Sequence, residues 1–362
     1  MGKKRAWKCA LRVDTLLLTL VLVCIGLLGS LYGTGKGLPG FEDVAQELFA
    51  EPSEHDFGAI DSGGMCEGSA LSDAELNGRL KEMPAAAACK PLRFLMLNAN
   101  NYFVSEDTQR ARFKITVKKE ESREAVAEVI SAVRPEVVGL IEMGGPHALE
   151  DLKKRLQARG CDYPYSKILL RSGEDRALAV LSMHPIVQDH SRANCSLLGN
   201  NRQKMLRGIL DVTVQVGSNR FYRIVGAHLK SRVSDDPAAA TARRKAEART
   251  LALYLQKEMR KTPALPVVVY GDWNDGPADA SLKILTQGIS EDSALSAVKA
   301  ADSRGQTWTI YYRAAQEYSL FDCIFVNKIM RSRRGRSCDS GVVDIPAAEI
   351  AGDHRAVWCE LR

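Results

Sequence analysis

The chain has 362 residues, of which 45% are hydrophobic and 26% charged. That balance suits a globular protein of one large domain or two ordinary ones, and excludes a disordered or fibrous chain. The formal net charge is +6, but Lys3, Lys4, Arg5, Lys8 and Arg12 supply five positive charges before the first acidic residue, so the remainder is close to neutral and gives no broad nucleic-acid-binding field.

The basic start precedes residues 15–32, an uncharged run rich in Leu and Val. Basic flank, position and run together read as a secretory signal or an uncleaved anchor. The run is longer than a usual signal core and just long enough to span a bilayer, which favours the anchor, while Gly29, Ser30 and Gly33 leave cleavage open. Residues 1–33 are therefore expected to tie the chain to a membrane or to be removed. The rest is then expected outside the cytoplasm, whether periplasmic, extracellular or secreted. Seven cysteines follow the leader, an odd number with no C-x-x-C spacing, so neither a zinc site nor a disulfide framework follows.

Residues 34–90 are rich in Gly, Ser, Ala and acids, with short helices expected at 41–50 and 71–82, and read as a spacer, the alternative being that part of it packs on the domain. The organised domain is expected over 91–362. A strand at 93–97 ends in Asn98-Ala99-Asn100-Asn101. Residues 121–133 have the apolar spacing of an amphipathic helix. The buried strand 137–141 ends in Glu142. A helix at 148–159 leads to short strands at 165–170, 177–182, 206–216 and 222–227, expected to pair antiparallel. The last of these ends in His228-Leu229-Lys230-Ser231-Arg232. A long helix at 241–261 delivers the chain to an apolar strand, 267–270, that stops at Gly271-Asp272-Trp273-Asn274-Asp275. Asp322 then sits inside an apolar run, and Asp353-His354 precedes a last strand.

Each of these polar groups interrupts or ends an apolar run, where a carboxylate is costly unless paired, hydrogen-bonded or bound to a cation. Gathered on one rim, they would form an acidic pocket of carboxylates and amides without thiolates, suited to Mg²⁺ or Mn²⁺. Two of the chain's six histidines lie in the set and supply proton-transfer groups near neutral pH. Hydrolysis of a phosphate ester uses such a pocket: a cation to neutralise oxygen charge, a base for water, and a stabiliser for the leaving oxygen.

The ordered set L-N-A-N, L-I-E-M, A-H-L-K-S, G-D-W-N-D, F-D-C-I-F-V and G-D-H-R-A-V resembles the endonuclease/exonuclease/phosphatase superfamily, over roughly residues 92–362. The resemblance implies a four-layer α/β sandwich, two mostly antiparallel β-sheets flanked by helices. It implies metal ligation by Asn98, Glu142 and Asp353. Asp272 and Asn274 match the pair that orients the attacking water and contacts the scissile phosphate. His354 matches the catalytic histidine, Asp322 the acid that orients it, and His228 a histidine that contacts phosphate or assists the leaving group. The inositol phosphatase branch carries W-C-D-R where this chain has Leu320-Phe321-Asp322-Cys323, so that substrate is disfavoured.

Asn100, Lys230 and Arg232 are further candidates for substrate phosphate oxygens, a solvated basic loop being the alternative for the last two. The expected function is a divalent-metal-dependent phosphodiester hydrolase, with nucleic acid as first substrate. The alternatives are a sphingomyelinase-like lipid phosphodiesterase, a phosphomonoesterase, or a non-catalytic phosphate-binding module. Asp275 reads as turn chemistry, Arg243, Arg244 and Lys245 as the outer face of their helix, and Gly144-Gly145 as support for a functional Glu142. His55, His147, His184 and His190 read as structural or solvent-facing, and the basic run 331–336 as a solvated loop or a polyanion grip.

Overall fold

In β1 (Leu92–Tyr102) successive side chains serve two cores. Phe94 and Met96 pack with Tyr222, Ile224, Val268 and Ile324 between two sheets. Leu95 and Leu97 face the other way and pack with Val126, Ile130, Leu149 and Leu152 of covering helices. The computed structural model describes residues 71–86, 89–108, 115–198, 200–313, 315–334 and 338–362. The leader and the helix expected at 41–50 lie outside them.

Among the described residues, the first sheet comprises β1, β2 (Val137–Met143), β3 (Tyr165–Leu169), β4 (Ala177–Ser182), β15 (Ser340–Val342) and β16 (Val357–Leu361), in the order β15-β16-β1-β2-β4-β3. The second comprises β5 (Ile186–Asp189), β8 (Leu210–Val216), β9 (Arg220–His228), β10 (Val267–Asp272), β11 (Ser296–Ala297) and β14 (Asp322–Val326), in the order β11-β14-β10-β9-β8-β5. Two ribbons, β6 (Ser196–Leu197) with β7 (Asn200–Lys204) and β12 (Ile310–Tyr312) with β13 (Glu317–Ser319), stand outside these sheets.

The helices are α1 (Asp73–Leu80), α2 (Ser105–Thr108), α3 (Glu120–Val133), α4 (Pro146–Ala158), α5 (Pro237–Lys261), α6 (Ala280–Gln287), α7 (Lys328–Arg334) and α8 (Pro346–Ala351). Proline opens α4, α5 and α8, where its missing N–H is not needed. Helices α3, α4 and α8 cover the first sheet. Helix α5 is tied to the second: Tyr254 donates to Asp211 Oδ2 at 2.6 Å, and Glu258 accepts from Arg223 at 2.9 Å. The result is the four-layer sandwich of a DNase I-like fold, as the resemblance implies.

Each sheet contains one parallel pair, β1–β2 and β9–β10, with its other pairings antiparallel. Parallel strands need a crossover, supplied by the chain through α3 in one case and by α5 in the other. Tyr270 locks the sheets together. Its hydroxyl donates to Ala179 O at 2.9 Å, and its ring lies where a Cβ on Gly139 or Gly226 would come within 2.7 or 2.5 Å.

Part of the expected spacer belongs to this body. Ser72 and Glu75 cap α1 reciprocally, and Leu76 and Leu80 pack against Phe221 and Leu265. The six cysteines among the described residues are free thiols. Among those residues no helix is long and apolar enough to cross a membrane.

Candidate active site

The carboxyl ends of the two parallel pairs meet. Asn98 ends the regular part of β1, His228 ends β9 and Asp272 ends β10. Asn98 Nδ2 donates to Asp272 Oδ2 at 3.0 Å, joining one sheet to the other. His228 Nε2 lies 3.5 Å from the same oxygen and 4.0 Å from Glu142 Oε1. Asp322 is the register partner of Asp272 on the antiparallel β14, and its Oδ2 lies 2.7 Å from His354 Nδ1. His354 Nε2 points back to Asp272 Oδ2 at 3.9 Å and lies 3.5 Å from the Asn98 amide.

Backbone distortion aims these groups. Asn100, Asn101, Glu142 and Asn274 all have φ between 46 and 58°, a region costly for side chains larger than glycine and concentrated at functional sites. Register shifts accompany Asn98–Tyr102 and Ile141–Met143, so bulges turn the polar residues off their strands. The Glu142 carboxylate then accepts from Asn101 N at 3.2 Å. Asn100 Nδ2 reaches Asp353 Oδ1 at 2.5 Å, which Gly352 permits because a Cβ there would come 2.8 Å from Asn100 Cβ. Asn274 N holds Asp272 Oδ1 at 3.0 Å, while its side-chain amide donates to Leu229 O at 3.2 Å.

Burial and charge set three protonation states. Burial and the nearby Asp322 charge push the Asp272 carboxyl up to about 7. Burial disfavours the charged His354 ring, but the Asp322 charge and hydrogen bond override it and raise the ring to about 10. Burial, with the positive charges of Arg207, His354 and Arg176, holds His228 well below its ordinary value, so it is neutral.

All eight residues expected to form the catalytic and metal-binding set lie around this centre. Asn98, Asp272, Asp322, His228, His354 and Asn274 are buried, while the Asp353 side chain remains 45% exposed. Asn100 joins them through Asp353. Lys230 and Arg232 make hydrogen bonds within the protein. Lys230 Nζ donates to the carbonyls of Ser231 and Val233. Arg232 donates to Asn274 O, Asp275 and Asp279 and lies over the Phe321 ring. It braces the Asp272 loop.

Asp275 is more than turn chemistry. It is buried, accepts from Ser281 Oγ, and lies 2.8 Å from Arg244 Nε. Arg244 is correspondingly buried and not on the outer face of α5. Gly144 and Gly145 serve Asp107, whose carboxylate fills the space a Cβ would take and accepts from Gly145 N at 2.9 Å. Of the basic run, Arg331 donates to Ser296, while Arg333 and Arg334 donate to backbone carbonyls of the protein itself.

Two cations were not anticipated. Lys118 donates to Asn100 O at 3.1 Å; burial lowers it to about 8, against the opposing charges of Asp353 and Glu142. Arg176 donates to Asn101 Oδ1 at 2.6 Å and lies 3.6 Å from Glu142. Lys118 lies outside the strands, and Arg176 precedes the apolar run of β4 where Asn98, Glu142, His228 and Asp272 each follow one.

The residues fit a divalent cation. The donors are oxygens and imidazole nitrogens, burial pushes the adjacent Cys323 thiol up to about 12, and Asp322 Oδ1 is buried without a hydrogen-bond partner. Asp272, Asp322 and His354 offer ligand atoms within 4.8 Å of one another. Asn98, Glu142 and Asp353 border the same centre, and the Lys118 ammonium lies in the field of the two acids.

A model of the Endonuclease/Exonuclease/phosphatase family matches residues 98–336, well over half the chain. The chain belongs to this family, whose members are hydrolases acting on phosphoester bonds. No curated protein sequence matches it significantly. Among solved structures, the human Nocturnin catalytic domain with bound sulfate anion aligns at a TM-score of 0.54 and 18% identity, over 75% of this chain and 94% of that one. An endonuclease/exonuclease/phosphatase from Bacteroides vulgatus gives 0.54 and 13%, over 76% and 99%. Truncated Caenorhabditis elegans TDP2 gives 0.51 and 14%, over 75% and 97%. At these identities the likeness is one of fold.

Proposed function

We propose that the protein is a divalent-metal-dependent phosphodiester hydrolase acting on nucleic acid. The observation that carries this reading is the buried Asp322–His354 pair at 2.7 Å beside an Asp272 raised to about 7. A base titrating near neutrality and a donor that stays charged at neutral pH, a few ångströms apart, suit attack of water on a phosphate.

Asp272 takes the proton of the attacking water, held in place by Asn98 Nδ2 and Asn274 N. His354, charged at neutral pH because Asp322 holds it so, donates from Nε2 to a phosphate oxygen as charge builds there. Water oxygen bonds to phosphorus, the bond to the leaving oxygen breaks, and that oxygen takes a proton from solvent. Neutral His228 borders the same oxygens as a hydrogen-bonding wall. Asn98, Glu142 and Asp353 would hold Mg²⁺ or Mn²⁺, which supplies neutralising charge for the phosphate and the leaving oxygen when bound. The sulfate in human Nocturnin, an anion of phosphate's shape, is in keeping with this use of the fold.

The uncharged run at 15–32 behind a basic end supports placing the catalytic domain outside the cytoplasm, anchored or released. The activity is tested with the full chain in detergent on DNA, RNA, sphingomyelin and a bis-aryl phosphate side by side, with Mg²⁺ and with EDTA. Cleavage of nucleic acid that needs the metal and is lost in Asp272→Ala supports the reading. Release of phosphocholine alone assigns the lipid alternative.

A further inference from the structure

A cleft of about 850 Å³ opens beside Asp353 against the β12–β13 ribbon. Three aromatic rings line it, and the hydrolysis described above uses none of them. Tyr311 and Tyr318 are cross-strand partners whose rings stack at 4.5 Å between centroids, 26° apart. Trp308 meets Tyr318 at 4.8 Å, and the Arg355 guanidinium lies 4.1 Å from the Trp308 centroid. Tyr318 is 59% exposed, so part of its ring is kept in water, a cost that a flat group laid against it would relieve.

The ribbon is bolted to the catalytic segment. Ile310 bridges His354, Tyr311 N donates to Asp353 O at 3.3 Å, and Arg355 N donates to Thr309 O at 2.7 Å. Thr309 Oγ1 also accepts from Asp322 N at 3.0 Å. A group held on the rings therefore stands at a fixed offset from the Asp322–His354 pair.

The lining carries arginines at 304, 313 and 355 and acids at 344, 349 and 353. Cations and anions balance, so the cleft is not a trough for a run of phosphates. Rings flanked by guanidinium groups suit a planar π-system. A duplex keeps its base faces inside its own stack; an unpaired strand presents them. We propose that Trp308, Tyr311 and Tyr318 form a stacking subsite for an unpaired nucleobase of a strand whose scissile phosphate lies at His354. This rests on the nuclease reading above and adds to it a preference for single-stranded nucleic acid.

The test uses the full chain in detergent with fluorescein-labelled oligothymidylate and a base-free oligomer of tetrahydrofuran phosphodiesters of equal length. Fluorescence anisotropy in EDTA measures binding, and gel assay with Mg²⁺ measures cleavage. Wild type is expected to bind oligothymidylate roughly ten-fold tighter than the base-free chain. Tyr318→Ala is expected to bring that ratio to about one, and Tyr318→Trp to recover it. Equal affinities in wild type, an unchanged ratio in Tyr318→Ala, or displacement of the strand by phosphocholine but not by thymidine would overturn the subsite. If the strand is cleaved while the ratio ignores Tyr318, only the subsite is lost. If wild type cleaves neither polymer yet hydrolyses another phosphodiester, the nuclease reading falls with it.

Discussion

Replacing Asp322 by Asn keeps the shape of the dyad and removes its charge. His354 now sits at about 10 against an ordinary 6.5, which at about 1.4 kcal/mol per tenfold is about 5 kcal/mol in favour of the charged ring. That is a net figure, because burial of the ring works the other way. At 2.7 Å, and with the effective dielectric of protein sites, one carboxylate charge contributes on the order of 6 kcal/mol. Taking it away leaves burial in command, so His354 in Asp322→Asn should titrate at or below 6.5. NMR titration of the ring Cε1–H, assigned against His354→Gln, measures this directly. Hydrolysis at pH 7.5 should fall by roughly 10²–10⁴, with any residual activity recovering toward acid pH as the ring regains its proton. A variant whose His354 still titrates above pH 8 would refute the assignment of its charge to Asp322.

Asp272→Asn should trade activity for stability. The folded carboxyl is raised to about 7 from 3.8, so its contribution is fully present below pH 3.8 and is lost as pH rises through 7, a loss on the order of 4 kcal/mol. Urea unfolding in EDTA should show the variant more stable than wild type at pH 8 with little difference at pH 3.5, and hydrolysis should be abolished at both. Lys118→Met should raise KM several-fold below pH 8 and little above it, because burial lets the wild-type ammonium discharge near that pH; a pH series of KM decides it. Gly226→Ala places a methyl 2.5 Å from the Tyr270 ring and should cost roughly 1–3 kcal/mol by urea unfolding, whereas Gly217→Ala, with open space around it but φ of 66°, tests strain without overpacking.

The centre was legible because its members break a rule. Asn98, Glu142, His228, Asp272 and Asp322 each stand where an apolar strand should continue or end quietly, and that cost is visible in one dimension. The alternation in β1 and the helical spacing of α3 were legible for the same reason, since both periods are written in the chain. Lys118 and Arg176 follow no period; they acquire meaning only when β1 and β2 bring Asn100, Asn101 and Glu142 beside them. Arg232 and Arg244 look like free cations in sequence, and their use depends on Asp275, more than thirty residues away in one case and forty in the other. The paired tyrosines of β12–β13 likewise become a surface only through strand register. The bulges that turn Glu142 and Asn100 off their strands leave no residue signature beyond the polar side chain itself.

The central claim is that the Asp272–His354–Asp322 cluster hydrolyses phosphodiesters with a divalent cation. The most direct measurement is cleavage of a single-stranded oligonucleotide by the full chain, wild type and His354→Ala, titrated from EDTA into Mg²⁺ and Mn²⁺. The account predicts no cleavage in EDTA, saturable recovery with either metal in wild type, and a loss of at least about 10² in the variant at every metal concentration. Full activity in His354→Ala, or metal-saturated wild type that leaves nucleic acid, lipid and bis-aryl phosphate intact, would contradict it.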